Sequence, residues 1–165
     1  MPMPHVIRWM NVEVEVAESL DLQDVEQVTD DIPRWLERLA ADDAMQAYAA
    51  RLQGDLCIRL CDEVESQQLN LAYRQQDKPT NVLSFTADQM PGDVQLLGDL
   101  LICMPVVHQE AQAQDKSLHH HLHHLVVHGV LHLLGFDHQT PSQAQQMEAL
   151  EVQLLSQFDV PNPYL

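Results

Sequence analysis

Basic side chains are scarce in this sequence, which has 8 lysines and arginines against 25 aspartates and glutamates, for a formal net charge of −17. Such a charge opposes nonspecific binding to nucleic acids or anionic membranes, because both require many contacts from Lys and Arg. We therefore expect no broad basic surface and no DNA partner. A nucleic-acid substrate would have to be met at a small local site or presented by a partner.

Long apolar segments and Gly/Ser-rich linkers are also missing. No apolar run approaches the roughly 20 residues that a membrane span needs. The start, MPMPHVIRWMNVEVEV, lacks the apolar run and the cleavage site of a signal peptide. The 165 residues include only five glycines and show no internal repeat. We expect one domain over residues 1–165, in the cytoplasm and without a membrane partner.

Disulfide bonds are not expected either, since the sequence has an odd number of cysteines, three. Cys57 and Cys61 share the alternating segment DLCIRLCDE, and a strand would separate them by about 13 Å. Bridged cysteines need Cα atoms within roughly 7 Å of each other. We expect Cys57, Cys61 and Cys103 to be reduced thiols packed among apolar side chains.

Apolar periodicity predicts both strands and helices. Strands are expected in NVEVEVA, DLCIRLCDE, TNVLSFTA and LLGDLLICM. Helices are expected between residues 24 and 52, where Pro33 should begin or kink a helix, and in VESQQLNLAYRQQ and VVHQEAQAQ. A last helix should follow Thr140, an N-cap residue, with Pro141 in its first turn and Gln143 completing a capping box. Together these elements predict an α+β domain.

The segment LHHHLHHLVVHGVLHLL predicts a buried helix, because apolar residues occupy two of its sides. A histidine stripe runs between those sides, and each buried imidazole must find a polar partner. The stripe consists of His121, His124, His128 and His132. We interpret His124 as a candidate partner of a metal ligand. The histidines interpreted as bystanders are His119, His120, His121 and His123.

Three histidines around one glycine form the strongest candidate site. His128 and His132 are four residues apart, so on a helix they lie one above the other. His138 would face away if the helix continued. Gly135 stands where a left-handed C-cap residue ends a helix, and Phe136 can supply the accompanying apolar contact. The reversed chain would then bring His138 back towards the other two imidazoles.

Three neutral imidazoles suit one zinc ion and leave a fourth tetrahedral position open. Structural zinc sites usually close with a fourth protein ligand, mostly a thiolate, and no cysteine lies near these histidines in the sequence. The lack of a nearby thiolate therefore favours a catalytic zinc, whose bound water can attack a carbonyl or a phosphodiester. A solvated histidine-rich helix that collects metal without chemistry is the alternative interpretation.

The motif HGVLHLLGFDH resembles the signature of the YbeY family, bacterial endoribonucleases that act in ribosomal RNA maturation and ribosome quality control. The resemblance extends through LNLAYRQQDKPTNVLSF, LLGDLLIC and MEALE, and it covers most of residues 55–158. It implies a small mixed four-stranded sheet flanked by about five helices, similar to metalloprotease catalytic domains, around a buried helix that carries the histidines.

The same resemblance assigns roles to residues. The three metal histidines of the family map onto His128, His132 and His138, and its activity arginine maps onto Arg74. It implies hydrolysis of single-stranded ribosomal RNA at one zinc ion, with the small ribosomal subunit and assembly proteins as partners. The matched strand residues Asn81, Ser84 and Asp99 are interpreted as structural or as supports of the site. Asp137 would either cap the turn or orient a ligand.

Two rival functions follow from the same residues. A ribosome-assembly factor would use the zinc only to hold its fold. A metallopeptidase would share the histidine and glycine offsets of H-E-x-x-H-x-x-G-x-x-H. Here, however, Gly129 stands in place of the glutamate that acts as the general base in peptide hydrolysis. We therefore favour RNA hydrolysis, in which Arg74 offers a planar charged group that matches phosphate.

Overall fold

The computed structural model describes residues 11–86 and 96–165. The start of the chain, where no signal peptide is predicted, and the last residue of TNVLSFTA lie outside the described residues. The strands are β1 (Asn11–Val16), β2 (Asp55–Cys61), β3 (Val82–Thr86) and β4 (Leu96–Cys103). The helices are α1 (Leu22–Ala41), α2 (Glu63–Arg74), α3 (Met104–Ala113), α4 (Leu118–Leu133) and α5 (Pro141–Ser156), with 3-10 helices at Asp43–Tyr48 and Arg51–Gln53.

The four strands form one mixed sheet in the order β1-β2-β4-β3. The β1–β2 and β2–β4 pairs are parallel, whereas β3 runs antiparallel to β4 at the sheet edge. The α+β class, the mixed four-stranded sheet and the flanking helices are therefore confirmed. Cys57, Cys61 and Cys103 are free, as expected.

Side-chain alternation on the inner strands divides the apolar residues between two faces of the sheet. On β4, Leu100 and Ile102 belong to the main core, which includes side chains of α1, α4 and α5. Leu101 and Cys103 point the other way, into a smaller cluster that also contains Leu83. The sheet is thus covered on both faces, which explains why β4 reads as a nearly continuous apolar run.

Helix α4 is the buried helix that the sequence predicts. It packs against β3, β4, α1, α3 and α5. Its apolar side chains on both predicted sides are at most 5% exposed, and they are Leu122, Leu125, Val126, Val127, Val130, Leu131 and Leu133. Close approach to the sheet requires Gly129, because a Cβ there would lie 2.8 Å from Leu100 Cδ2.

Two local predictions have different outcomes. The capping box before α5 is confirmed, since Thr140 Oγ1 accepts from the Gln143 backbone and the Gln143 side chain accepts from the Thr140 backbone. Pro33, however, lies inside α1, so it does not begin a helix, and the alternative that it kinks one stays a prediction. Its neighbours Ile32 and Leu36 are fully buried, and this burial offsets the hydrogen bond that proline removes.

Asp42 begins a separate 3-10 helix, which contains Met45 and Tyr48, rather than a second α-helix. Its side chain accepts a hydrogen bond from the Ala44 backbone and so caps that short helix. In the part of the chain that the structure describes, no helix combines the length and apolar character needed to cross a membrane.

Candidate metal centre

The turn after α4 has the geometry that the glycine predicts. Gly135 adopts a φ of +101°. Its backbone N–H donates to His132 O at 3.0 Å, and the Phe136 N–H donates to Leu131 O at 3.0 Å. These two bonds define a Schellman motif, in which a left-handed residue satisfies the last carbonyl groups of a helix. Phe136 packs against the main core, so the predicted apolar contact is also present.

Arg51 reinforces the end of α4 from a distant part of the chain. Its guanidinium donates to Leu133 O at 2.8 Å and to Leu134 O at 3.0 Å. A positive group at a helix C-terminus also interacts favourably with the helix dipole. The turn is therefore held both by its own backbone and by a charged side chain from the 3-10 helix Arg51–Gln53.

Reversal of the chain brings the three predicted histidines together. Ring centroids lie 4.6 Å apart for His128 and His132, 5.0 Å for His132 and His138, and 5.6 Å for His128 and His138. One ligand nitrogen from each ring falls within 4.8 Å of the other two. His128 and His132 are half-buried, whereas His138 is exposed. The group thus opens to solvent on the side of His138.

The donor set fits a zinc ion. The Nε2 atoms of His128 and His132 are 3.1 Å apart, close to the separation of about 3.3 Å between two nitrogens on a tetrahedral zinc. Burial, together with the neighbouring His128 and His138, lowers the pKa of His132. A neutral imidazole keeps a free lone pair, which metal binding requires. These histidines can hold a metal ion, and their role as its ligands stays a prediction.

A buried carboxylate supports His128 from behind. Glu151 of α5 is 0% exposed, and His128 Nδ1–H donates to its Oε1 at 2.6 Å. His124 Nε2–H donates to Glu151 Oε2 at 3.0 Å, and the Tyr164 hydroxyl donates to the same oxygen. A metal-binding histidine typically donates its second ring N–H to such a carboxylate.

The protonation of this cluster follows from its contacts. Burial alone would raise the pKa of Glu151, but hydrogen bonds from His124, His128 and Tyr164 lower it to about 2. Burial and the Glu151 carboxylate raise the pKa of Tyr164. At neutral pH Glu151 is therefore a carboxylate that only accepts hydrogen bonds, and Tyr164 is a phenol that donates one.

Arg74 lies in the same cavity as the histidines. It is the last residue of α2, and its Nη2 donates to Ser84 O on β3 at 3.0 Å. The cavity has a volume of about 660 Å³ and is lined by Arg74, His128, His132 and His138 together with side chains of β3 and the C-terminal tail. The structure thus places the predicted arginine and the three histidines around one open space, and the catalytic role of Arg74 stays a prediction.

A sequence model of the family described as Endoribonuclease YbeY matches residues 16–159 of this chain. A protein from Alteromonas mediterranea named Endoribonuclease YbeY is 41% identical over 156 residues, which cover 94% of this chain and 98% of that protein. The chain belongs to the YbeY family.

Further comparisons agree with YbeY membership. A Pseudoalteromonas translucida protein of the same name is 47% identical over 88% of this chain and 95% of its own length. A Colwellia psychrerythraea protein, also named Endoribonuclease YbeY, is 53% identical over 67% of this chain and 72% of its own length. The solution structure of TM1509 from Thermotoga maritima superposes with a TM-score of 0.55, at 20% identity and 91% coverage of both chains. That likeness supports the fold alone.

Some residues singled out in the sequence serve other contacts. Asp137 Oδ1 accepts from the His138 backbone at 2.7 Å, which supports the turn-capping interpretation. Asn81 donates to Glu110, which also bonds to His121 Nε2 at 3.0 Å, and all three line the cavity. His121, a bystander in the sequence-based interpretation, lies in the cavity wall. Asp99 lies on β4, outside the lining.

His123 is a packing residue, in keeping with its interpretation as a bystander. Its ring stacks on Trp35 with centroids 4.2 Å apart and planes 7° from parallel. The Phe158 ring packs against the same imidazole, with centroids 4.8 Å apart and planes at 70°. Burial, together with neighbouring imidazoles, lowers the pKa of His123 to about 4. His123 is therefore neutral near pH 7 and belongs to the interior between α1 and α4.

Glu151 and Tyr164 are parts of the site that the sequence does not predict. Glu151 had a usable signal, because it shares the apolar face of α5 with Met147 and Leu154, which are 1% and 4% exposed. An acid on an apolar helix face needs a buried partner. Tyr164 had no such signal, since it follows an irregular tail after Ser156.

Proposed function

We propose that this protein is a metal-dependent endoribonuclease that hydrolyses single-stranded ribosomal RNA, with one zinc ion held by His128, His132 and His138. The observation that carries this proposal is the meeting of three imidazoles beside Arg74 in one open cavity. The names of the relatives support the reaction class. Zinc suits three neutral imidazoles and an open fourth position.

In this proposal the three histidines hold the metal ion, and Arg74 binds the phosphate group of the RNA. A zinc ion in such a site supplies a Lewis acid for a phosphodiester oxygen. Arg74 presents a permanently charged fork whose N–H groups can bind the non-bridging oxygens, where negative charge develops. Its hydrogen bond to Ser84 O fixes the side chain along β3 before substrate arrives, which reduces the ordering cost of binding.

The charges around the cavity explain how an acidic protein can bind RNA, which is itself negatively charged. The cavity lining holds two cations, Arg74 and Lys116, against one carboxylate, Glu110, together with five imidazoles, although the whole chain carries a net charge of −17. Positive charge is thus local, and it suits a short stretch of RNA rather than a long duplex. We further propose that small-subunit and assembly proteins in the cytoplasm deliver this RNA, since a presenting partner removes the need for a broad basic surface.

Gly129 argues against the peptidase alternative. In the H-E-x-x-H pattern this position carries the general base, but here a Cβ would already press on Leu100. Glu151, the buried carboxylate nearest the histidines, is fully occupied by His124, His128 and Tyr164. Peptide hydrolysis would lack its usual base at this site.

Arg74→Ala separates the nuclease from an assembly factor with a purely structural zinc. We expect RNA cleavage to fall by about 10²-fold, the usual cost of removing one donor to transition-state charge. Zinc content and thermal stability should stay close to those of the unmodified protein, because Arg74 is exposed at a helix end. The measurement is cleavage of an unstructured RNA, alongside metal analysis of each variant.

Arg34→Ala is the matched control, since it removes the same charge from a side chain that is 74% exposed and pairs with Asp31. It should cleave RNA at the unmodified rate. Full cleavage by Arg74→Ala would refute the proposed role of this arginine. Absence of cleavage in the unmodified, zinc-loaded protein would favour the assembly factor.

A further inference from the structure

A fully buried carboxylate is energetically costly, because its charge has been removed from water and must be compensated by hydrogen-bond donors or an opposite charge. Glu151 meets this requirement through three donors that all belong to the cavity wall: His128, His124 and Tyr164. None of the three is a lysine or an arginine. The carboxylate is thus bound by groups whose own orientation it determines.

The tautomer of His128 follows from this contact. An ionised carboxylate can only accept, so the proton of the neutral ring must be on Nδ1. The lone pair is then on Nε2, which is the atom that lies 3.1 Å from His132 Nε2. Without Glu151 the ring would be free to carry its proton on Nε2, where it would block metal binding.

Tyr164 connects the end of the chain to the same carboxylate. The tail is held there by Lys116 Nζ, which donates to Pro163 O at 3.1 Å, and within the tail the Tyr164 N–H donates to Asn162 Oδ1 at 2.9 Å. The Tyr164 ring lies edge-on to His124, with centroids 5.4 Å apart. Tyr164 falls beyond residues 16–159, the part of the chain that matches the family model.

We infer that Glu151 and Tyr164 are positioning residues of the metal centre. Glu151 fixes the His128 ring with Nε2 turned towards His132 and His138, and Tyr164 fixes Glu151 from the C-terminal tail. The inference rests on the proposed metal role of the three histidines. Tyr164 in the C-terminal tail thus raises the metal affinity of a site whose proposed ligands all come from α4 and the turn that follows it.

The same geometry admits one competing interpretation. His124, His128 and Glu151 also place ligand atoms within 4.8 Å of one another, as a second metal site would. A neutral imidazole, however, has one lone pair and one N–H. A neutral His128 ring therefore cannot bind an ion through Nδ1 while it binds another through Nε2. The positioning role predicts one metal ion for each chain.

The test compares Glu151→Gln and Tyr164→Phe with Tyr73→Phe, a control at a tyrosine that is 57% exposed on α2. Zinc affinity is measured by competition with a chelating dye. Glu151→Gln should weaken zinc binding by about 10- to 100-fold, the usual effect of removing a hydrogen-bond partner of a metal ligand. Tyr164→Phe should weaken it by about 2- to 10-fold, the worth of one net hydrogen bond. Tyr73→Phe should bind zinc unchanged.

A second readout does not depend on metal or activity. Nitrogen NMR of the metal-free protein reports which ring nitrogen of His128 carries the proton. Nδ1–H should predominate in the unmodified protein and in Tyr73→Phe, and a mixture of tautomers should appear in Glu151→Gln. If Glu151→Gln only lowered the stability of the protein, the folded variant would still carry the His128 proton on Nδ1. Tyr164→Phe removes one oxygen and leaves Glu151 in place, so it tests the inference if Glu151→Gln does not fold.

Unchanged zinc affinity in Tyr164→Phe would overturn the role of the tail, and an unchanged His128 tautomer together with unchanged zinc affinity in folded Glu151→Gln would overturn the role of the carboxylate. Two zinc ions for each unmodified chain, one of them lost in Glu151→Gln, would establish the competing metal site instead. Failure of the unmodified protein to bind zinc, with Nδ1–H still predominant in the NMR experiment, would refute the proposed function and leave the contact between Glu151 and His128 standing.

Discussion

Gly135→Ala tests the turn on which the site depends. The backbone φ of +101° is one that L-residues rarely adopt. A Cβ at this position would meet no heavy atom within 4 Å. The cost of the substitution is therefore conformational rather than steric, and we expect about 1–2 kcal/mol.

This cost can appear in two places. If the Gly135→Ala variant keeps the left-handed turn in its metal-free form, the free energy of unfolding falls by the full amount and zinc affinity stays the same. If the metal-free turn relaxes instead, it loses the hydrogen bonds to His132 O and Leu131 O. Zinc binding must then restore the turn, and affinity falls by up to about 5- to 30-fold, since 1.4 kcal/mol corresponds to tenfold. The two losses together should total about 1–2 kcal/mol.

Urea unfolding of the metal-free variant measures the first loss, and dye competition for zinc measures the second. Gly135→Asn is the internal control, because asparagine tolerates the left-handed region better than alanine and should lose less. A Gly135→Ala protein with the stability and the zinc affinity of the unmodified chain would contradict the account of the turn.

Two further predictions concern residues that support α4. The pKa of His123 is lowered to about 4 in the folded protein, so the unfolded chain binds the proton more readily. The free energy of unfolding is therefore highest above pH ~6.5 and decreases as the pH falls towards 4, by about 3 kcal/mol at most. His123→Phe should keep the stack on Trp35 and flatten this pH dependence in urea unfolding. His119→Phe, at a half-exposed position, should leave the pH dependence unchanged. An equally steep loss of stability in His123→Phe would exclude His123 as the cause. Gly129→Ala should lower the free energy of unfolding by about 1–3 kcal/mol, because the new Cβ presses on Leu100. Leu100→Val should be less destabilising in the Gly129→Ala protein than in the unmodified protein. Additive effects of the two substitutions would contradict the steric explanation.

The parts of the site that the sequence predicts are those encoded by neighbours along the chain. His128 and His132 share a helix face because of their spacing, and Gly135 returns His138 through a turn that closes over two residues. Local geometry is enough for these inferences. Only the family resemblance predicts Arg74 as a site residue, because its position near the histidines depends on how α2 and β3 pack.

The parts that the sequence does not predict depend on distant contacts. Glu151 lies 23 residues from His128, and Arg51 lies 82 residues from the carbonyl of Leu133. Pro33 shows the reverse case, because it lies inside α1, where the burial of Ile32 outweighs the local signal for a helix start, and the alternative of a kink stays a prediction. Tertiary packing decides such cases, and a single sequence contains no direct record of it.

One metal ion, held by three histidines and required for RNA cleavage, is central to the proposed function. Stepwise addition of zinc to metal-stripped protein, with cleavage of an unstructured RNA measured at each step, tests this claim directly. We predict that the rate rises linearly and saturates at one equivalent, and that His138→Ala shows no such rise at the same zinc concentrations. Full cleavage by the metal-stripped protein, or an equal response in His138→Ala, would contradict the account.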